Sequence, residues 1–91
     1  MSNPHRPKNV TVYTKNHCGY CEAAKRLLSL CHLEYQEINI EHATNPESIL
    51  QDIRSYTSAR TFPQIIFDGK CIGGYTELNA YVDQHMLNQG D

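Results

Sequence analysis

Ninety-one residues set the scale of one small domain with a modest core and leave no room for a second folded unit beside it. Hydrophobic residues at 40% and charged residues at 20% match an ordinary globular chain, which excludes a disordered tract or a coiled coil. The formal net charge is −2, and no cluster of lysine and arginine interleaved with aromatics gives a nucleic acid a place to bind.

Met1–Lys8 is polar, contains proline and follows its charges with no apolar run, so it reads as a flexible lead-in and not as a signal peptide. Residues 9–91 then read as a single domain. Asn9–Thr14 is rich in β-branched and aromatic residues and predicts a first strand. From about Gly19 to Cys31 a helix is expected, because Ala24, Leu27, Leu28 and Cys31 recur at helical spacing while Glu22, Lys25 and Arg26 face away. Leu33–Ile40 alternates and predicts a second strand. Asn45-Pro46-Glu47 has the three marks of a helix start: an amide cap, proline at the first helical position and an acid in the first turn. That helix buries a stripe of Ile49, Leu50, Ile53 and Tyr56 and ends near residues 57–59. Pro63–Phe67 and Lys70–Ile72 are strands joined by the tight turn Asp68-Gly69, and Gly73-Gly74 breaks the second. Leu78, Tyr81, Val82 and Met86 mark a last helix that fades into a polar tail, Asn88–Asp91. No internal repeat, low-complexity tract or membrane span is present in the pattern. The order is β-α-β-α-β-β-α, which predicts an α/β thioredoxin fold: a four-stranded mixed β-sheet flanked by three helices, its strand–helix–strand opening a right-handed parallel crossover.

Between the first strand and first helix stands His17-Cys18-Gly19-Tyr20-Cys21. Two cysteines three apart at a helix start lie close enough to bond, and beside a strand–helix–strand unit they suggest a thioredoxin-like redox motif. The free N–H groups and positive dipole end of the helix favour a thiolate at the first sulfur. A structural zinc site would need a second ligand pair, and Cys31-His32, adjacent on one helix, offers poor tetrahedral geometry. A secreted disulfide scaffold is disfavoured by the same distribution of the four cysteines. A reducing, cytoplasmic setting is expected. Cys31 continues an apolar helix face and reads as a small packing residue, while Cys71 on an edge-side strand reads as ordinary packing or as a half-exposed thiol. Tyr13 is either strand filler or a groove-lining ring; Tyr56 and Tyr81 read as core; His17 either tunes Cys18 or is a solvated loop residue.

Three blocks in this order resemble the glutaredoxins: Tyr13-Thr14-Lys15 with the CGYC segment, Arg60-Thr61-Phe62-Pro63-Gln64, and Gly73-Gly74-Tyr75-Thr76-Glu77-Leu78. The resemblance covers Asn9 to His85. It implies a glutathione-dependent thiol–disulfide oxidoreductase in which Cys18 attacks a protein–glutathione mixed disulfide and Cys21 resolves it in a dithiol route. It also implies a glutathione groove. Lys15 and Arg60 would take the glycine carboxylate, Gly74, Tyr75 and Thr76 at a helix start the γ-glutamyl carboxylate, and the backbone of Thr61 and Phe62 before a cis-Pro63 the ligand's cysteine, with Tyr20 flanking the sulfur. Gly19 stands where many dithiol relatives have proline, which makes the site resemble the monothiol relatives. These hold a [2Fe–2S] cluster between two copies through Cys18-type thiolates and two glutathiones. Phe62 stands where valine is commoner and Thr76 where aspartate or serine is. The implied partners are glutathione and glutathionylated or disulfide-containing proteins, with no nucleic acid or membrane, and a monomer unless a cluster bridges two copies.

Overall fold

β-branched side chains at Val10, Thr11 and Val12 stiffen the first strand, and their alternation sends Val10 and Val12 to one face of the sheet and Thr11 and Tyr13 to the other. In a computed structural model of the chain, which describes residues 6–85, this strand is β1 (Val10–Thr14). It is followed by α1 (Gly19–Leu30), β2 (Gln36–Asn39), α2 (Pro46–Tyr56), β3 (Gln64–Phe67), β4 (Lys70–Gly73) and α3 (Tyr75–His85). The strands lie in the order β2-β1-β3-β4, with β1 parallel to β2 and antiparallel to β3, and β3 antiparallel to β4. This is the expected four-stranded mixed sheet with three helices. Among the described residues no helix is long and apolar enough to cross a membrane.

The larger core lies between the sheet and α1 with α3. Val10, Val12, Ile65 and Phe67 supply the sheet side, Ala24 and Leu28 come from α1, and Leu78 and Val82 from α3. β3 is buried along its whole length, as a central strand covered on both faces must be. On the opposite face α2 covers a smaller cluster of Tyr13, Ile53 and Ile66. Tyr13 is therefore core, and burial raises its phenol above the ordinary range.

The helix starts follow their sequence marks. Asn45 caps α2 by accepting the Ser48 N–H at 3.3 Å, with Pro46 in the first turn. The Asp68-Gly69 turn has positive φ at both positions, 50° and 86°, which matches the twist of a two-residue hairpin. Several boundaries differ from expectation. β2 is shorter than residues 33–40 because its pairing with β1 runs only from Gln36 to Asn39; Leu33 lies outside the strand yet buries its side chain in the larger core. Of the expected α2 stripe only Ile53 is buried. Ile49 and Leu50 are half-buried and Tyr56 is 41% exposed, a correction to its reading as core: it stands in the last turn of α2, outside the side chains packed on the smaller cluster.

Of the lead-in, Met1–His5 lie outside the described residues, as do Met86 of the last helical stripe and Asn88–Asp91. Arg6 donates from Nη2 to the carbonyls of Cys31 (2.7 Å) and His32 (3.0 Å), placing a cation on the C-terminal carbonyls of α1. The Lys8 and Asn9 N–H groups bond the Asp68 carboxylate, at 3.0 and 2.7 Å to Oδ1, and tie this segment to the hairpin turn.

Candidate active site

Cys18 is the cap of α1, not a residue of its first turn. Its backbone is extended, with φ −124° and ψ 102°, and its sulfur accepts the Cys21 N–H at 3.2 Å. The side chain thus takes the place of the usual serine or aspartate on an otherwise unpaired helix donor. Cys21 lies one turn in and is fully buried, while Cys18 is half-buried. The two sulfurs are joined as a disulfide, with their Cα atoms 5.2 Å apart. An incoming sulfur can reach Cys18 from solvent and cannot reach Cys21.

The loop that delivers Cys18 is held by short polar contacts. Asn39 Nδ2 donates to Asn16 Oδ1 at 3.0 Å, the Asn16 N–H donates to Glu41 Oε2 at 3.2 Å, and the Glu41 N–H returns to Asn39 Oδ1 at 2.8 Å. His17, exposed, adopts a positive φ of 54° immediately before the cap.

Opposite Cys18 stands the Phe62–Pro63 bond, which is cis, with the Phe62 carbonyl oxygen 3.8 Å from the Cys18 sulfur. The segment before it is positioned by Gln64, a buried amide whose Nε2 donates to the Thr61 carbonyl (2.9 Å) and lies 3.3 Å from the Thr61 hydroxyl. Its Oε1 accepts from the Cys71 thiol at 3.4 Å. Gln64 carries no role in the sequence pattern beyond its place before the apolar strand residues. The signal was its polarity at the head of an otherwise apolar strand, since a buried amide has to find partners.

The third side of the site is the start of α3. Gly74 approaches the cis segment so closely that a Cβ there would lie 3.2 Å from the Pro63 carbonyl oxygen. Gly73 has φ +117°, and a Cβ there would meet the Glu77 side chain at 2.7 Å. Glu77 reaches back to accept the Gly74 N–H at 2.8 Å, the reciprocal half of a capping box. Its spacing, three residues after Gly74, was the available signal. The first-turn N–H groups of Tyr75 and Thr76 have no carbonyl four residues back within the helix. Tyr20, 67% exposed, stacks on Tyr75 with ring centroids 5.9 Å apart and joins the starts of α1 and α3.

The structure brings Tyr20, Thr61, Phe62, Pro63, Gly74, Tyr75 and Thr76 around one recess of about 190 Å³. Arg60 and Lys15 line two other recesses. Arg60 lines a cavity of about 410 Å³ against α2, and Lys15 one of about 460 Å³ against β2, where Glu22, Lys25 and Glu37 are also found. There the Lys25 ammonium lies 3.0 Å from Glu22 and 3.2 Å from Glu37, and its pKa is raised chiefly by the bond to Glu22. Cys31 is half-buried against the larger core. Burial pushes its thiol up, with Arg6 opposing, as fits a packing residue. Cys71 packs against the smaller cluster. Among the described residues no group of three or more His, Cys, Asp or Glu side chains is gathered to hold a metal ion.

The geometry has counterparts among known proteins. The glutaredoxin family model matches residues 10–72. Glutaredoxin 3 of Escherichia coli strain K12 is 38% identical over 73 residues, covering 79% of this chain and 83% of its own length. A glutaredoxin of Ricinus communis is 30% identical over 78 residues, covering 86% and 76% respectively. The crystal structure of the buckwheat glutaredoxin–glutathione complex superposes with a TM-score of 0.73 at 28% identity, over 84% of this chain and 70% of that one. With Cys18 and Cys21 at the family's active-site position, this chain belongs to the glutaredoxin family and is of the thiol–disulfide oxidoreductase kind.

Proposed function

We propose that this chain reduces protein–glutathione mixed disulfides, and protein disulfides, with glutathione as the reductant. The observation that carries the reading is the asymmetry of the two sulfurs: Cys18 is reachable and capped by the Cys21 N–H, while Cys21 is buried behind it. In the reduced chain that N–H and the start of α1 favour the thiolate over the thiol on Cys18. The thiolate attacks the glutathione sulfur, a Cys18–glutathione bond forms, and the protein thiolate leaves and takes a proton. A second glutathione thiolate then attacks the bound one, giving oxidised glutathione and restoring Cys18. In the dithiol route Cys18 attacks a target sulfur instead. Cys21 loses its proton and closes on Cys18, the target leaves as two thiols, and the product is the Cys18–Cys21 disulfide seen here.

Glutathione binding at the recess beside Tyr20 and Tyr75 is supported by the cis-Pro63 segment next to Cys18, by the α3 start, and by the superposition on a glutaredoxin solved with glutathione. Lys15 and Arg60, each from a recess of its own, supply the cations for the glycine carboxylate. In a deglutathionylation assay Cys18→Ser lowers the rate at least about a thousandfold, whereas Cys21→Ser retains turnover on glutathione mixed disulfides and loses it on protein disulfides. Activity surviving in Cys18→Ser would sink the mechanism.

A second reading, a carrier of a [2Fe–2S] cluster, is favoured by one observation: nothing lies within 4 Å of where a Gly19 Cβ would stand, so the flank of Cys18 is open. At the site one chain offers a single reachable sulfur, with Cys21 buried, so the ligands would be Cys18 from each of two copies and two glutathione thiolates. Anaerobic preparation with iron, sulfide and glutathione gives a coloured dimer under this reading; a colourless monomer rejects it.

A further inference from the structure

Of the two buried polar side chains among the described residues, Thr14 bonds Glu37, whereas Gln64 bonds the loop opposite Cys18. The Gln64 amide is anchored in the sheet twice over. Gln64 itself pairs with Tyr13 of β1, and Cys71, whose thiol donates to Oε1 at 3.4 Å, pairs with Ile66 from β4. Nε2 then reaches out of the sheet to the Thr61 carbonyl at 2.9 Å. The loop needs such a tie. Among the described residues, backbone–backbone hydrogen bonds outside the helices and strands do not reach residues 58–63, and Thr61 is exposed, so packing does not hold it either.

We propose that Gln64, braced by Cys71, is the positioning residue that fixes the Thr61–Phe62 backbone for strand-like pairing with substrate, and so sets how tightly the glutathione part of a mixed disulfide is held before Cys18 attacks. The inference rests on the glutathione reading above. A backbone that pairs with a ligand has to keep its own N–H and C=O free, and those of Phe62 take part in no backbone–backbone bond outside the helices and strands. That freedom leaves the segment loose unless something else fixes it, and ordering it at the moment of binding weakens affinity. A side-chain amide meets both needs. It takes the Thr61 carbonyl, one residue earlier, and leaves Phe62 open, with its carbonyl oxygen 3.8 Å from the Cys18 sulfur. The tie is also directional: an amide turned the other way would set Oε1 against the Thr61 carbonyl oxygen, and the Cys71 thiol, as a donor, favours the orientation present. Gln64 acts on the reacting sulfur only through Thr61 and Phe62.

The test follows turnover of the cysteine–glutathione mixed disulfide at a fixed glutathione concentration. Beside it, alkylation of reduced Cys18 by iodoacetamide, which has no peptide to pair with Phe62, is read by peptide mass. Gln64→Met keeps the length and bulk of the side chain and removes both bonds; it raises the KM for the mixed disulfide about fivefold. Alkylation stays within about twofold of the parent chain, since the helix start at Cys18 is unchanged. Cys71→Ala, which leaves Oε1 without its donor, raises the KM about two- to threefold, and Cys71→Ser, which keeps a donor, returns it to the parent value. An unchanged KM in Gln64→Met would overturn the inference. So would a loss that appears equally in alkylation, which would make Gln64 a support of the fold alone. Should Gln64→Met not fold, the Cys71 pair decides, and equal KM values in Cys71→Ala and Cys71→Ser reject the proposal. If the parent chain turns over no glutathione mixed disulfide while Cys18 still alkylates, the glutathione reading falls and this inference with it.

Discussion

On one face of the sheet α1 and α3 press Ala24, Leu28, Leu78 and Val82 against Val10, Val12, Ile65 and Phe67; on the other, α2 contributes a single buried side chain, Ile53, against Tyr13 and Ile66. The thick face holds the two helices whose starts meet at the site, one capped by Cys18 and the other by Gly74 with Glu77. Those donors act only if fixed in place, and the thick core fixes them. The thin face leaves α2 standing off residues 57–62 and so leaves the cavity carrying Arg54 and Arg60. The redox pair is positioned where packing is dense, and the open cavity lies where it is sparse.

The largest expected effect that separates the faces is Leu28→Ala. Leu28 is fully buried in the thick core, and its truncation costs about 3 kcal/mol in urea unfolding. Ile53→Ala costs less, about 2 kcal/mol, because its partners Ile49 and Phe62 are only partly buried and a cavity can collapse or fill from the solvent side. Equal costs for the two would erase the distinction between the faces. A cost for Ile53→Ala well under 1 kcal/mol would sharpen it by making α2 nearly independent of the core.

The thick face was also the legible one. The Ala24-Leu28 and Leu78-Val82 pairs repeat at helical spacing, and the caps and the Asp68-Gly69 turn are written in local residue types, so the order and kind of all seven elements could be read from the chain. Tyr56 misled because spacing assigns a helix face but not whether anything covers it. Within the site, Cys18 and Cys21 were legible by spacing. Meeting of Phe62–Pro63 with Gly74 and Tyr75 was legible only through likeness to a family, because it depends on how β3 and β4 bring distant segments side by side. The separation of Lys15 from Arg60 into different recesses, and the hydrogen bonds of Gln64, arise from side-chain directions that the fold decides.

The smallest effect lies in the charged recess beside β2, where the thick face meets solvent. Thr14, buried, donates its hydroxyl to Glu37 Oε2 at 2.7 Å, and this bond, with help from Lys25, holds the Glu37 carboxyl below its ordinary value against an opposing push from burial. A carboxylate depressed in the folded chain stabilises it fully above the unfolded value of 4.5, and that stability fades as the pH falls through the folded value. The side chain is 32% exposed, so solvent screens the gain to less than about 1 kcal/mol. Glu37→Gln keeps an acceptor for Thr14 but cannot titrate. The stability difference between parent and variant should therefore be constant from neutral pH down to about 4.5 and shrink below it. A difference that stays constant through the acid range would mean that the Thr14 bond is indifferent to charge, and that Glu37 and Lys25 contribute nothing as an ion pair.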